Sequence, residues 1–183
     1  AQHGFKEFYI ALGYKGNVIK KYFKKNKFTD WKINLIDTGK NTMTGGRLKR
    51  LKKYINKDET FMMTYGDGLS NVNLKKLLSF HKKNKKIATL TAVRPPARFG
   101  ALKISGNNVN FFKEKSKLDE GWINGGFFVM QSKIFNFIKN DQTYLEREPL
   151  ERLTKNKQLS AFIHKKFWQC MDTKRDKDNL EKL

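Results

Sequence analysis

The chain has 183 residues, of which 38% are hydrophobic and 13% aromatic, fifteen of them Phe. That is enough apolar material for a real core in one ordinary domain, and too much for a disordered chain. A formal charge of +22 invites a nucleic-acid partner, because a basic surface neutralises phosphates and releases counterions.

The excess is mostly Lys, spread along the chain on what read as solvated helix faces and loops, so it is taken as a solubility and steering charge and not as a specific nucleic-acid site. No apolar run reaches the ~18 residues of a membrane span, and no leader segment is visible. Cys170 is the single cysteine, which excludes an internal disulfide and a cysteine zinc cage. With only His3, His81 and His164, a histidine metal cluster is not expected either, and a reducing, cytoplasmic setting follows by default. The chain opens on Ala1 instead of Met, and Ala1–Phe5 reads as the tail of a helix already under way, so a fragment is expected.

In chain order, Phe8–Leu12 reads as a strand and Gly16–Phe23 as a short helix with Val18, Ile19, Tyr22 and Phe23 on one side. Ile33–Ile36 is a second strand, followed by a helix over Gly46–Ile55. Phe61–Tyr65 is a buried strand ending in Gly66-Asp67-Gly68. Asn71 or Asn73 caps the next helix, where Leu74, Leu77, Leu78 and His81 recur at helical spacing. Ile87–Val93 is another β-branched run. Alternation of strand and helix predicts an α/β fold: a doubly wound, mostly parallel sheet with helices on both faces.

After Pro95-Pro96 the pattern changes. Ala101–Ile104 and Val109–Lys113 flank Ser105-Gly106-Asn107-Asn108, which predicts a hairpin and so an antiparallel addition to the sheet. Ile123–Gln131 is a strand, Lys133–Ile138 and Leu145–Leu153 are helical, Ser160–His164 is extended, and Thr173–Lys182 is a charged terminal helix. No repeat or linker interrupts the chain, so residues 1–183 are read as one domain.

Ligands of an open parallel sheet bind beyond the carboxyl ends of its strands. Two segments fall there. In Met62–Gly68 a carboxylate sits on a glycine-flanked turn after a buried strand, where it could meet a cation while the glycines admit phosphate or sugar; an ordinary turn is the alternative. In Asp37–Arg47 a strand empties into a hydroxyl- and glycine-rich loop opening a helix, whose N–H groups attract anions and whose Arg47 could add a charged fork. A plain cap by Thr44 is the alternative there.

Gly13-Tyr14-Lys15-Gly16, Met43–Arg50 (Met-Thr-Gly-Gly-Arg-Leu-Lys-Arg), Thr64–Gly68, Arg98–Leu102, Ile123–Val129 and Phe167–Thr173 occur in this order. The string resembles the glucose-1-phosphate cytidylyltransferases, a branch of the sugar-1-phosphate nucleotidyltransferases, over nearly the whole chain. The resemblance implies a Rossmann-like nucleotide-diphospho-sugar transferase fold. It implies transfer of a cytidylyl group from CTP to α-D-glucose 1-phosphate, with Mg2+ as cofactor and CDP-glucose as a cytoplasmic precursor of surface polysaccharide. It also implies roles residue by residue. Asp67 and Asp172 would hold the metal, and Gly66 would line the nucleotide. Thr42, Gly45, Gly46 and Arg47 would contact base and nucleotide. Glu114 and Lys115 would bind the sugar phosphate, Lys115 acting with the two aspartates in catalysis. Gly100, Asn124 and Gly125 would form the sugar pocket.

Members of that family begin with a strand and a glycine-rich loop that hold the triphosphate, and nothing of the kind precedes Ala1, so the chain alone is expected to be inactive or nearly so. The segment Lys24–Trp31 is shorter than the family pattern, Ser116 stands where Pro follows Glu-Lys, and Cys170 stands where Pro precedes Met-Asp. A transferase for UTP, dTTP or GTP is one alternative. A basic nucleic-acid-binding module and a non-catalytic remnant that assembles with other subunits are others. A homo-oligomer is compatible with all of these. His81, on the apolar face of its helix, and His164, with no evident partner, are given no role; Trp122 and Trp168 are read as packing residues.

Overall fold

The computed structural model describes residues 2–57, 59–95, 101–113 and 121–182. They form two compact units, one made of Ala1–Phe61, His81–Ala88 and Met130–Ser160, the other of Met62–Phe80, Thr89–Val129 and Ala161–Leu183.

The first unit opens with a turn at residues 2–3 and not with a helix tail. β1 (Glu7–Leu12) and β2 (Lys32–Asp37) pair in parallel from Glu7 opposite Lys32 to Leu12 opposite Asp37. Parallel neighbours need a crossover, and α1 (Gly16–Lys25) supplies it, its two terminal lysines facing the negative end of the helix dipole. A Glu7–Lys32 ion pair of 2.8 Å closes the entry of the ladder. α2 spans Thr44–Leu51 and tightens into a 3-10 turn at Lys52–Tyr54, so this helix starts earlier and ends sooner than Gly46–Ile55. A second 3-10 segment, Ser132–Phe137, and α4 (Glu148–Lys155) complete the unit, with Pro149 in the first turn of α4, where its missing N–H costs nothing. Leu12, Leu48, Ile134, Leu145 and Leu153 are fully or nearly fully buried here.

The second unit holds the greater part of a four-stranded sheet in the order β3 (Thr60–Thr64), β8 (Ile123–Gln131), β5 (Ala88–Val93), β9 (Leu159–Ile163). Phe128, Val129 and Val93 sit at its centre with 0–1% exposure. α3 (Leu74–Asn84) begins where the Asn73 side chain accepts the Lys76 N–H at 2.9 Å, which decides between the two candidate caps. β6 (Ala101–Ser105) and β7 (Asn108–Lys113) form the expected antiparallel hairpin, turning through Gly106 at φ 59° and Asn107. β4 (Gly68–Ser70) and β10 (Trp168–Cys170) form a short antiparallel pair that the sequence did not announce. α5 (Lys174–Leu180) carries a reciprocal capping box between Thr173 and Asp176. The fold is therefore α/β as expected, with parallel and antiparallel ladders mixed. Among the described residues no helix is long and apolar enough to cross a membrane.

His81 lies on α3 with 1% exposure, and burial pushes its imidazole below the ordinary value of 6.5. Between the two values the unfolded chain binds more protons, so stability rises with pH across that window and is lost on acidification below 6.5. The urea midpoint is expected to fall between about pH 7.5 and about pH 5.5, and to fall less in His81→Gln, which has no proton to take up. Equal slopes in the two proteins would remove His81 as the source.

Candidate active site

In the second unit, β3 delivers Tyr65-Gly66-Asp67 to the start of β4, and β10 pairs with β4 so that Cys170 lies opposite Gly68. The ladder continues one step: the Met171 N–H donates to the Asp67 carbonyl at 2.8 Å. Asp67 and Asp172 are thereby brought to the same end of one short ladder, both exposed. Among the described residues neither is in an ion pair. Gly66 has open space where a Cβ would stand.

A third segment joins them. The Trp168 indole N–H donates to the Gly125 carbonyl at 2.7 Å, so this ring, read from sequence as packing, also holds a strand in place. The Tyr65 N–H reaches the Gly126 carbonyl at 3.3 Å, and the Asn124 side chain accepts the Gly126 N–H at 3.0 Å. Gly125 presses on β5: a Cβ there would come within 2.8 Å of Val93 and 3.1 Å of the Thr91 carbonyl. Three segments distant in sequence, 65–68, 124–126 and 168–172, thus form one hydrogen-bonded cluster. It is backed by a polar knot absent from the sequence reading. Ser70 donates to the Phe167 carbonyl at 2.8 Å, and the His164 Nε2 lies 3.2 Å from the Ser70 hydroxyl and 3.1 Å from the same carbonyl. His164 accordingly has partners, contrary to expectation.

The residues most suited to a hard cation here are the two aspartates, whose oxygens match the preference of Mg2+. Cys170, Asp172 and Asp176 place a ligand atom each within 4.8 Å of one another, a group that does not include Asp67. Asp176 is committed to the α5 cap, taking the Thr173 N–H at 3.1 Å and its hydroxyl at 2.8 Å.

In the first unit the glycine-rich segment serves packing. A Cβ on Gly46 would stand 2.3 Å from the Asp141 carbonyl oxygen, and one on Gly45 2.7 Å from that of Thr143. The same backbone caps the helix: the Met43 N–H donates to Asp141 at 2.8 Å and the Gly46 N–H to Thr143 at 3.2 Å. These α2 donors are thus already taken by protein carbonyls. Thr44 is not the cap; its hydroxyl donates to Glu146 at 2.7 Å and accepts the Leu145 N–H at 2.9 Å. Arg50 grips Asp141 bidentately at 3.0 and 2.6 Å, and this contact holds the Asp141 carboxyl below the usual range. The Arg47 guanidinium bonds to the Leu12 carbonyl at 3.1 Å, Thr38 at 2.8 Å and the Lys40 carbonyl at 3.3 Å, lying over Gly13. Thr42 is buried at 7% exposure. At the carboxyl ends of β1 and β2 a cavity of about 310 Å³ is lined by Gly13, Tyr14, Lys15, Asn17, Asp37 and Lys40, among others. Gly100, Glu114 and Lys115, and with them the sugar-phosphate pair, lie outside the described residues.

The nucleotidyl transferase family model matches residues 1–173. The chain belongs to the nucleotidyl transferase family. It is 46% identical to a glucose-1-phosphate cytidylyltransferase of Salmonella typhi over 99% of this chain and 79% of that protein. It is 39% identical to a Bacillus subtilis (strain 168) protein named probable glucose-1-phosphate cytidylyltransferase, with the same coverage. Among solved structures, HddC from Yersinia pseudotuberculosis superposes with a TM-score of 0.74 at 23% identity, over 97% of this chain and 78% of that one, a likeness of fold. The six motifs in order were a sequence signal for that membership. The Ser70–His164 knot and the Trp168–Gly125 bond left no signal, because each joins side chain or backbone across unrelated segments.

Two substitutions measure what the first unit's motif does for this nucleotidyl transferase fold. Gly46→Ala forces a methyl group into backbone and is expected to cost about 2–3 kcal/mol in urea unfolding. A variant as stable as wild type would mean the 141–143 segment moves away freely. Arg47→Lys keeps the charge but loses the fork, and is expected to cost about 1–3 kcal/mol. Unchanged stability would show that the three bonds contribute nothing to the fold and free the guanidinium for a ligand.

Proposed function

We propose that the protein carrying this chain transfers a cytidylyl group from CTP to glucose 1-phosphate, releasing CDP-glucose and pyrophosphate. What supports the reading is the bond from the Met171 N–H to the Asp67 carbonyl, which brings the backbones of Asp67 and Asp172 to one end of the β4–β10 ladder, with Trp168 of β10 bonded to Gly125. The names of the relatives from Salmonella typhi and Bacillus subtilis support the choice of both substrates.

The phosphate oxygen of the sugar attacks the α-phosphorus of the nucleotide, a new P–O bond forms, and the bond to the β-phosphate oxygen breaks, its electron pair leaving with pyrophosphate. A phosphate monoester is already anionic at neutral pH, so positioning and charge neutralisation do most of the work. Asp67 and Asp172 fit a hard divalent cation, Mg2+, and would hold it from the two strand ends. A cation so bound supplies charge stabilisation at the transferred phosphoryl group. Gly66, bare and exposed, admits the nucleotide phosphates, and Asn124 with the Gly125 backbone bounds the sugar. Glu114, Lys115 and Gly100 take the sugar-phosphate roles that their motifs imply, with Lys115 neutralising phosphate. Thr42, Gly45, Gly46 and Arg47 take the nucleotide-side roles that their motif implies, with Gly45 and Gly46 packed against the 141–143 backbone.

Pyrophosphate release with each of CTP, UTP, dTTP and GTP tests the nucleotide; a preference for any triphosphate other than CTP would overturn the cytidylyl assignment. Asp67→Asn and Asp172→Asn are each expected to lower metal-dependent turnover by about a hundredfold or more while leaving the circular dichroism spectrum unchanged. Turnover within a few-fold of wild type in both would remove the reaction centre.

A further inference from the structure

Cys170 is the one cysteine of the chain and lies half-buried in β10, two residues before Asp172. Its thiol Sγ donates to the Asp172 Oδ2 at 3.2 Å. The partner opposite Cys170 in the ladder is Gly68, which puts no side chain on the shared face. Paired residues of an antiparallel ladder project to the same side, so a larger residue at 68 would compete for the space beside the sulfur. The next backbone bond, Met171 N–H to the Asp67 carbonyl, fixes where Asp172 leaves the strand. Asp172 is otherwise an exposed side chain on a turn, with two rotatable bonds and no ion pair among the described residues.

We propose that Cys170 is a positioning residue: its S–H holds one oxygen of the Asp172 carboxylate and leaves the other to bind the divalent cation. The proposal rests on the metal assignment made above. A thiol suits the task because it is a weak, uncharged donor. It restricts the carboxylate without neutralising it, whereas a Lys or Arg in its place would compete with the cation for the same charge. A hydroxyl at the same position reproduces the donor, and a methyl group removes it while keeping the small size.

The test is a titration of the protein with Mn2+ alone, followed by electron paramagnetic resonance of the free ion, on wild type, Cys170→Ser, Cys170→Ala and Asp172→Asn. Outer partners of metal ligands are worth roughly tenfold or more in affinity, and a thiol stands at the weak end. Cys170→Ala is therefore expected to bind Mn2+ about fivefold to tenfold more weakly and Cys170→Ser within about twofold of wild type. Turnover should follow the same order, with the Mg2+ requirement raised in Cys170→Ala and kcat at saturating Mg2+ nearly unchanged. Two results would overturn the proposal alone: Cys170→Ala binding like wild type while Asp172→Asn does not, or Ser failing as badly as Ala, which would make the position one of packing. Asp172→Asn binding Mn2+ as wild type does would instead remove the metal assignment, and this inference with it.

Discussion

One backbone hydrogen bond, from the Met171 N–H to the Asp67 carbonyl, fixes the end of the β4–β10 ladder on which the proposed site depends. It extends the β4–β10 ladder past its last regular pair and brings the backbones of Asp67 and Asp172, far apart in sequence, to the same end of it. Backbone bonds suit that purpose. They hold the main chain without occupying the carboxylates, which stay exposed and outside any ion pair among the described residues. In a chain carrying a formal +22, surface lysines and arginines are plentiful enough to claim a carboxylate. Elsewhere that happens: Glu7 is taken by Lys32, Asp141 by Arg50, and Glu148 by Lys139.

The ladder itself is three residues per strand, too short to stand alone. Its support comes from behind, where Ser70, His164 and the Phe167 carbonyl form a hydrogen-bonded knot and the Val72 N–H adds a fourth bond to the Ser70 hydroxyl at 3.2 Å. The His164 N–H in turn reaches the Ala92 carbonyl on β5, so the knot is tied to the buried sheet. Trp168 does the same from the other side through Gly125. A short, weak ladder is thus braced by contacts to a buried sheet.

How far the sequence disclosed this depended on the range of the interaction. Elements with a period were legible: the strand over Ile123–Gln131 was found to the residue, and the hairpin turn at Gly106-Asn107 followed from its glycine. Helix α2 was displaced by two residues because its start is set by carbonyls of Asp141 and Thr143, nearly a hundred positions away, and not by a local cap. Strands β4 and β10 were invisible because three residues carry no alternation, and their pairing is decided by where β3 and β9 leave the sheet. The aspartates were legible only as a glycine-flanked turn and as part of Phe167–Thr173, whose order matched a family; nothing local in either said that their backbones would pair at one ladder end.

The paired glycines before Arg47 show how one signature serves two ends. Glycine at a helix start admits a ligand's phosphate as readily as it admits another stretch of backbone, since both ask only that no Cβ be present. Here the backbone of Asp141 and Thr143 fills the space, and the Arg47 fork is spent on the Leu12 and Lys40 carbonyls and on Thr38. Those bonds join the ends of β1 and β2 to the loop after them, the very rim where a parallel pair offers its ligand site. A rigid rim is what these residues supply: three of the five guanidinium N–H donors of Arg47 are used on the Leu12 and Lys40 carbonyls and the Thr38 hydroxyl.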